Sequence, residues 1–346
     1  MTNFNLFWLS FVSKNMKTLI KSSQIVRFKS IIRVMYQSAF VDKRIVSIPF
    51  KTQSIMGTGD NLRMEEIMGI YDHHEESEND YFQLNVSGKM IDFRVSHEYN
   101  LPEACFHPND KESAIESIHK YFLDFFGDSV EYIWRAKYPE EFIPNLPNLS
   151  LWIQIWPRIQ EVIDMKALEN FFILPPVKKH IHIRWNRLEV LSPESKFYQT
   201  ESVRIVELYS HAVHALLRHF QGRQAILFFC DVEISDLIEF INRWRFGEVC
   251  QNLEYLKIID GPTNLTEVLN VNVVKHLNAT KMPPTHTVPN VYTPGRIFKA
   301  NTDPITSHFY IVRETDNRVA SISIEGESFC FGVWKETEEE FLRMVE

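Results

Sequence analysis

The sequence predicts an α/β fold: a short helical segment, then a layer of alternating strands and helices, then antiparallel strands at the carboxyl end. Three observations carry this reading. Near the amino end, apolar residues recur every three or four positions, which is helical periodicity. Between residues 165 and 260, short β-branched runs alternate with longer amphipathic ones, the pattern of parallel strands with helices packed against them. After residue 306, three strand-like runs are joined by short polar connections of the length that links antiparallel neighbours.

From Leu6 to about Phe40 the pattern is helical, with Leu9, Val12, Met16, Leu19 and Ile20 on a stripe and Lys14, Lys17 and Lys21 between them. Its later part, Val26 to Met35, fits a helix or a strand equally well. Residues from Arg44 to about Ser96 read as extended. The clearest piece is Tyr81–Val86 and Met90–Val95, whose alternation flanks Ser87-Gly88-Lys89 and predicts a β-hairpin. The acidic stretch from Asp72 to Asp80 reads as an exposed loop. Asp110 to Ser113 then opens a helix in which Ala114, Ile115, Ile118, Tyr121, Phe122, Phe125 and Phe126 share a broad apolar face, ended by Gly127. Val130–Trp134 follows as a strand, and Pro139, Pro144 and Pro147 mark a loop between two halves.

In the second half, strands are expected at Lys179–Ile183, Val203–Leu208, Ala225–Phe229 and Leu253–Ile259, with helices at Met165–Phe172, His211–Phe220 and Ile234–Phe246. The spacing from Val203 to Ile226 to Glu254 falls within the range of leucine-rich solenoids, without their asparagine ladder, so this layer is expected to be leucine-rich-repeat-like. An ordinary open α/β sheet is the alternative. The strands expected at Ser307–Arg313, Arg318–Ile324 and Ser328–Trp334 form a terminal meander, and Phe341, Leu342 and Val345 lie at helical spacing beyond it. The expected organisation is therefore a helical segment at 1–45, an α+β region at 46–150, a β/α domain at 151–335 and a tail or helix at 336–346.

With 346 residues, 45% of them hydrophobic and only 11 glycines, the chain has the material for a sizeable core and is not of a disordered class. A net charge of -8 argues against nucleic acid, whose phosphates require clustered Lys and Arg. The four cysteines, Cys105, Cys230, Cys250 and Cys330, form no CxxC pair and read as reduced thiols, which places the chain inside the cell. The apolar run Leu6–Val12 has no basic residue before it and no small-residue cleavage site after it, so it is not expected to be a secretion signal. No run reaches the length of a membrane-spanning helix.

Chemistry-bearing patterns are sparse. His180 and His182 share one face of a strand, and His211 and His214 share one face of a helix, but neither pair has a third ligand at metal-binding spacing or an accompanying HExxH. Gly57-Thr58-Gly59 lacks the Lys-Ser/Thr pair of a phosphate loop. The pairs Glu65-Glu66 and Glu140-Glu141 are sequence neighbours and read as solvated charge. No serine sits in a GxSxG elbow. Trp244, Trp334, Phe329 and Phe331 read as core, with Phe329, Phe331 and Val333 on one side of their strand and Cys330, Gly332 and Trp334 on the other. No catalytic, cofactor or metal site is expected.

The run from Asp236 to Glu248, a helix ending in Trp244 and then Gly247, followed by Asn252-Leu253-Glu254-Tyr255-Leu256-Lys257-Ile258, resembles the F-box-associated (type 2) domain expanded in nematodes. Arg313–Ile322, the closing Phe329–Trp334, and Ser117–Gly127 are similar to further stretches of that family. The resemblance spans about residues 110 to 334 and makes Trp244, Gly247, Leu253, Tyr255, Leu256 and Trp334 its structural signature. At the amino end, Leu6–Lys21 resembles the back half of an F-box, while the Leu-Pro pair and first helix of that motif have no counterpart.

What the resemblance implies is a non-catalytic adaptor that presents a captured protein to a cullin-RING ubiquitin ligase of SCF type. Leu6, Leu9, Val12, Met16, Leu19 and Ile20 are the residues it implies for binding the F-box-binding adaptor subunit. The second expectation, from the incomplete F-box, is a protein-binding module of the same fold with no ligase recruitment.

Overall fold

The computed structural model describes residues 2–40, 43–52, 61–72, 81–96, 101–137, 141–156, 164–174, 177–184, 189–207, 209–230, 232–260, 279–281, 309–325 and 328–345. The chain forms two compact units, Met1–Trp152 and Ile153–Glu346.

The first unit opens with three short helices, α1 (Asn3–Leu9), α2 (Lys14–Ser23) and α3 (Ile25–Lys29). The single helical run expected from the sequence is thus broken twice. At the first break Ser13 takes an extended backbone and its side chain accepts from the Met16 amide, a capping bond that restarts the helix in a new direction. The ambiguous Val26–Met35 stretch resolves into both structures: helix through Lys29, then β1 (Arg33–Phe40), whose residues 33–37 pair in parallel with 131–135.

Six further strands complete this unit's sheet: β2 (Lys43–Thr52), β3 (Asn61–Asp72), β4 (Phe82–Val86), β5 (Lys89–Val95), β6 (Pro102–Phe106) and β7 (Glu131–Ala136). Their order is β7-β1-β2-β3-β6-β5-β4. The expected hairpin is β4–β5, with Val86 opposite Lys89. Its two turn residues, Ser87 and Gly88, have φ of 52° and 96°, the double positive value that a two-residue turn needs to match strand twist. Helix α4 (Lys111–Phe126) buries the predicted face plus His119, and Gly127 ends it at φ 102°. The acidic loop at 73–80 and the Gly57-Thr58-Gly59 turn lie outside the described residues. Strand β8 (Leu149–Ile155) contains the division between the units.

The second unit runs α5 (Met165–Ile173), β9 (Val177–Arg184), β10 (Ser202–Val206), α6 (Ser210–His219), β11 (Gln224–Cys230), α7 (Ile234–Arg245) and β12 (Tyr255–Asp260). It ends with β13 (Thr280–Lys281), β14 (Phe309–Val312), β15 (Arg318–Glu325), β16 (Ser328–Thr337) and α8 (Glu338–Val345). β9, β10, β11 and β12 are successive parallel neighbours, as the β/α alternation predicts. β14, β15 and β16 form the expected antiparallel meander, and β16 joins it to β12. The architecture is mixed α/β, with helices at the amino end and antiparallel strands toward the carboxyl end. No helix among the described residues is long and apolar enough to cross a membrane.

Candidate functional site

The groups most able to do chemistry are placed structurally. His180 is buried with Nδ1 3.1 Å from Ser202 Oγ, and His214 Nδ1 lies 3.1 Å from Asp236 Oδ1. No group of three His, Cys, Asp or Glu side chains among the described residues is arranged to hold a metal ion. Glu65 accepts from Asn3 Nδ2 and the Phe4 amide, both at 2.8 Å, so it fixes the start of α1. Glu141 pairs with Arg44 and accepts from the Lys137 amide at 2.7 Å, while Glu140 lies outside the described residues. All four cysteines are free thiols. Burial pushes Cys105 up to about 11 and Cys250 up to about 12, so neither is a thiolate nucleophile near neutral pH.

The amino-terminal stripe divides. Leu6 and Ile20 are core residues, whereas Val12 is 70% exposed, Leu19 61% and Leu9 37%, with Met16 half-buried between them. The break at Ser10–Ser13 is the cause, because it turns α2 away from the line of α1. Phe7 and Trp8 hold α1 instead: Phe7 stacks on Phe122 at 4.8 Å and meets Tyr121 and Phe125 edge-on, and Trp8 Nε1 donates to the Ile67 carbonyl at 3.0 Å.

The signature residues Trp244, Leu253, Tyr255, Leu256 and Trp334 are all buried and build the second unit. Trp244 meets Phe331 edge-on at 5.0 Å, and the Arg313 guanidinium lies over the Trp244 ring at 5.1 Å. Gly247 adopts φ 72°, and a Cβ there would stand 2.6 Å from Thr315 Cγ2. Trp334 is on the opposite side of β16, donating from Nε1 to Ser321 Oγ at 2.9 Å and packing against Phe341 of α8.

The register of β9–β12 separates two sheet faces. Ile205, Leu227, Ile258 and Phe329 are successive partners on one face, which the helices cover: Ile205 lines a small cavity with Ala212 and Leu216 of α6, and the neighbouring Phe331 meets Trp244 and Phe240 of α7. The other face carries two rows of different chemistry. One is His182–Arg204–Ile226–Lys257–Cys330; the next is Arg184–Val206–Phe228–Ile259–Ser328. His182, Arg184, Arg204, Val206, Phe228, Lys257 and Ile259 are all half-buried, while Ile181, Ile183, Val203, Ile205, Leu256 and Ile258 opposite them are buried.

No family model, curated protein or solved structure matches the chain.

Local bonds shape this second face. Arg204 lies over the Phe228 ring at 4.5 Å, Trp156 meets His182 edge-on at 5.1 Å, and Arg184 donates to both Glu207 oxygens at 2.7 and 2.5 Å. The pairing with Glu207 holds the Arg184 guanidinium above its usual range. Glu207 and Phe229, which follow the paired residues Val206 and Phe228, both take positive φ, 61° and 52°; the first ends β10, and the second marks the register shift before Cys230 pairs with Asp260. The sequence signal for this face was period-two alternation of Ile with His, Arg or Lys in β9, β10 and β12, which sequence reasoning followed only for its apolar half.

At the amino ends of these strands lies a groove of about 670 Å³ lined in part by Lys179, Glu201, Arg223, Glu254, Arg318 and Lys335. Arg223 bridges Glu254 at 2.7 Å and Glu201 at 3.1 Å, and Lys179 reaches Glu201 at 2.9 Å. These ion pairs tie the starts of β9, β10, β11 and β12 together.

Proposed function

We propose that the chain is a non-catalytic recognition subunit of a cullin-RING ubiquitin ligase, which captures a target protein on the second unit and reaches the ligase adaptor through exposed apolar residues of α1, α2 and the turn between them. One observation carries the capture half: the β9–β12 sheet packs α6 and α7 on one face and carries on the other a half-buried mixture of cationic, aromatic and aliphatic side chains beside the cluster that Ile226, Tyr255, Trp334 and Phe341 form. This is the division of labour of a leucine-rich-repeat-like layer, in which a rigid scaffold presents strand residues to a partner. The ligase half rests on the resemblance of Leu6–Lys21 to part of an F-box, and Leu9, Val12 and Leu19 are the stripe residues exposed for such contact.

A pull-down of the purified chain with the F-box-binding adaptor tests the ligase half. The expected result is a complex that survives Ile20→Val, a conservative core change, and is lost in Val12→Asp/Leu19→Asp, whose sites are solvent-exposed so that folding is preserved. Absence of a complex at micromolar concentration sinks the recruitment role. The second reading, a protein-binding module without ligase recruitment, is favoured by one observation: Leu6 and Ile20 are spent on the core of the first unit.

A further inference from the structure

We propose that β4, the outer strand of the first unit's sheet, pairs antiparallel with β4 of a second copy of this chain, joining two such sheets edge to edge around a two-fold axis at Leu84. This goes beyond the ligase reading and uses none of its residues.

The register of the hairpin fixes which backbone groups are free. Val86 and Lys89 close a two-residue turn, so they exchange both of their backbone hydrogen bonds. By alternation, Leu84 and Phe82 also turn their N–H and C=O groups toward β5, while those of Gln83 and Asn85 point away from it. β4 ends the strand order and has β5 as its one strand neighbour among the described residues.

Native sheets ordinarily blunt such an edge with a charge, a proline or a bulge. Residues Phe82-Gln83-Leu84-Asn85-Val86 contain neither charge nor proline, and they pair with β5 without a register shift. The side-chain layer is unfinished along the same edge. Phe82, Leu84 and Val86 share a face with the buried Ile91 and Phe93, and Phe82 stacks on Phe93 at 5.9 Å. Phe82 is nevertheless 40% exposed, and Leu84 is only half-buried.

The occupant follows from symmetry. Antiparallel pairing centred on Leu84 sets Gln83 opposite Asn85 of the second copy and Asn85 opposite its Gln83, so every outward N–H and C=O of these residues finds a partner. On the apolar face, Leu84 meets Leu84 of the second copy and Phe82 meets its Val86, which extends the layer across the joint. An unrelated strand would have to supply this order of residues, whereas a second copy carries it by construction.

Sedimentation analysis of the full chain tests this. Contact through one short strand lies at the small end of interface sizes, so dimer is expected to build up between about 1 and about 100 μM. Gln83→Pro removes an N–H that faces outward, a position where an edge strand tolerates proline, and is expected to unfold at the parent's denaturant concentration yet stay monomeric. Leu84→Cys reads the register directly. Opposite residues that do not exchange backbone bonds stand about 4.5 Å apart at Cα, within disulfide reach, so oxidation by copper phenanthroline is expected to link Leu84→Cys into a covalent dimer. The parent chain and Met90→Cys, at an exposed site of the same hairpin, are expected to stay unlinked.

A parent chain that is monomeric throughout that range would overturn the proposal. So would a folded Gln83→Pro that still dimerises, or linkage of Leu84→Cys no faster than that of Met90→Cys. Where Gln83→Pro fails to fold, the comparison of Leu84→Cys with Met90→Cys decides alone.

Discussion

At the scale of single residues, His119 shows how burial fixes a proton. Its Nε2 is 2.7 Å from the Pro147 carbonyl, which can only accept, so Nε2 carries the hydrogen and Nδ1 accepts from the Tyr36 hydroxyl at 2.9 Å. Burial, only partly offset by the Pro147 bond, holds the imidazole below its ordinary value of 6.5. The unfolded chain therefore binds a proton that the folded chain refuses as pH falls below 6.5. Stability contributed by neutral His119 is full above that pH and is lost as pH falls toward the lowered folded value, at a slope of at most about 1.4 kcal/mol per pH unit. Urea unfolding of the parent chain and His119→Gln at two pH values across that window checks this. The parent is expected to lose more stability on acidification, and parallel losses would contradict the assignment. The sequence put His119 next to an apolar stripe without revealing its burial, because both its hydrogen-bond partners are distant in the chain.

Elements show where periodicity is a reliable guide and where it is not. The hairpin β4–β5 was readable because alternation and turn chemistry agree on one register. Helix α4 was readable because its apolar face is continuous and a glycine ends it. The break between α1 and α2 was not, since Leu9, Val12 and Met16 keep helical spacing through it, and only the Ser13 cap reveals the change of direction. β6 was equally hidden: Pro102–Phe106 has no alternation, being buried at four of its five residues, and it inserts between β3 and β5. The helical packing of α1 depends on Phe7 more than on the stripe. Phe7→Ala is expected to cost about 3–5 kcal/mol by cavity formation among Tyr121, Phe122 and Phe125. Val12→Ala, at an exposed site, is expected to cost within about 0.5 kcal/mol. Chemical denaturation of the two variants decides it, and equal losses would show that α1 is not anchored through its buried ring.

For the whole molecule, the order of strands explains what sequence could and could not deliver. The parallel run β9–β12 follows chain order, so local alternation was enough to predict it. The joining of β16 to β12 pairs residues about 70 positions apart or more, and the packing of Ile226 and Tyr255 with Tyr310, Trp334 and Phe341 is likewise non-local. The proposed capture face was half legible: its strands were found, but which side α6 and α7 would cover depends on the crossovers. The thiols give a molecule-wide test of packing. Three of the four cysteines are buried and Cys330 is half-buried. A thiol-reactive dye is expected to label the folded chain slowly and all four positions promptly in denaturant. Rapid labelling of Cys105 or Cys250 in the native chain would show that the core opens more readily than this packing allows.

The two-faced strands of β9–β12 also bear on divergence. Because neighbouring positions along each strand serve opposite faces, His182, Arg204, Lys257 and Ile259 can be exchanged without disturbing the isoleucines and leucines that pack on α6 and α7. Relatives of this chain with different partners would then share an inner face and differ on the outer one. The same separation lets a designer rewrite those four positions while keeping Ile226 and Phe228, which pack with Trp334 and Phe341.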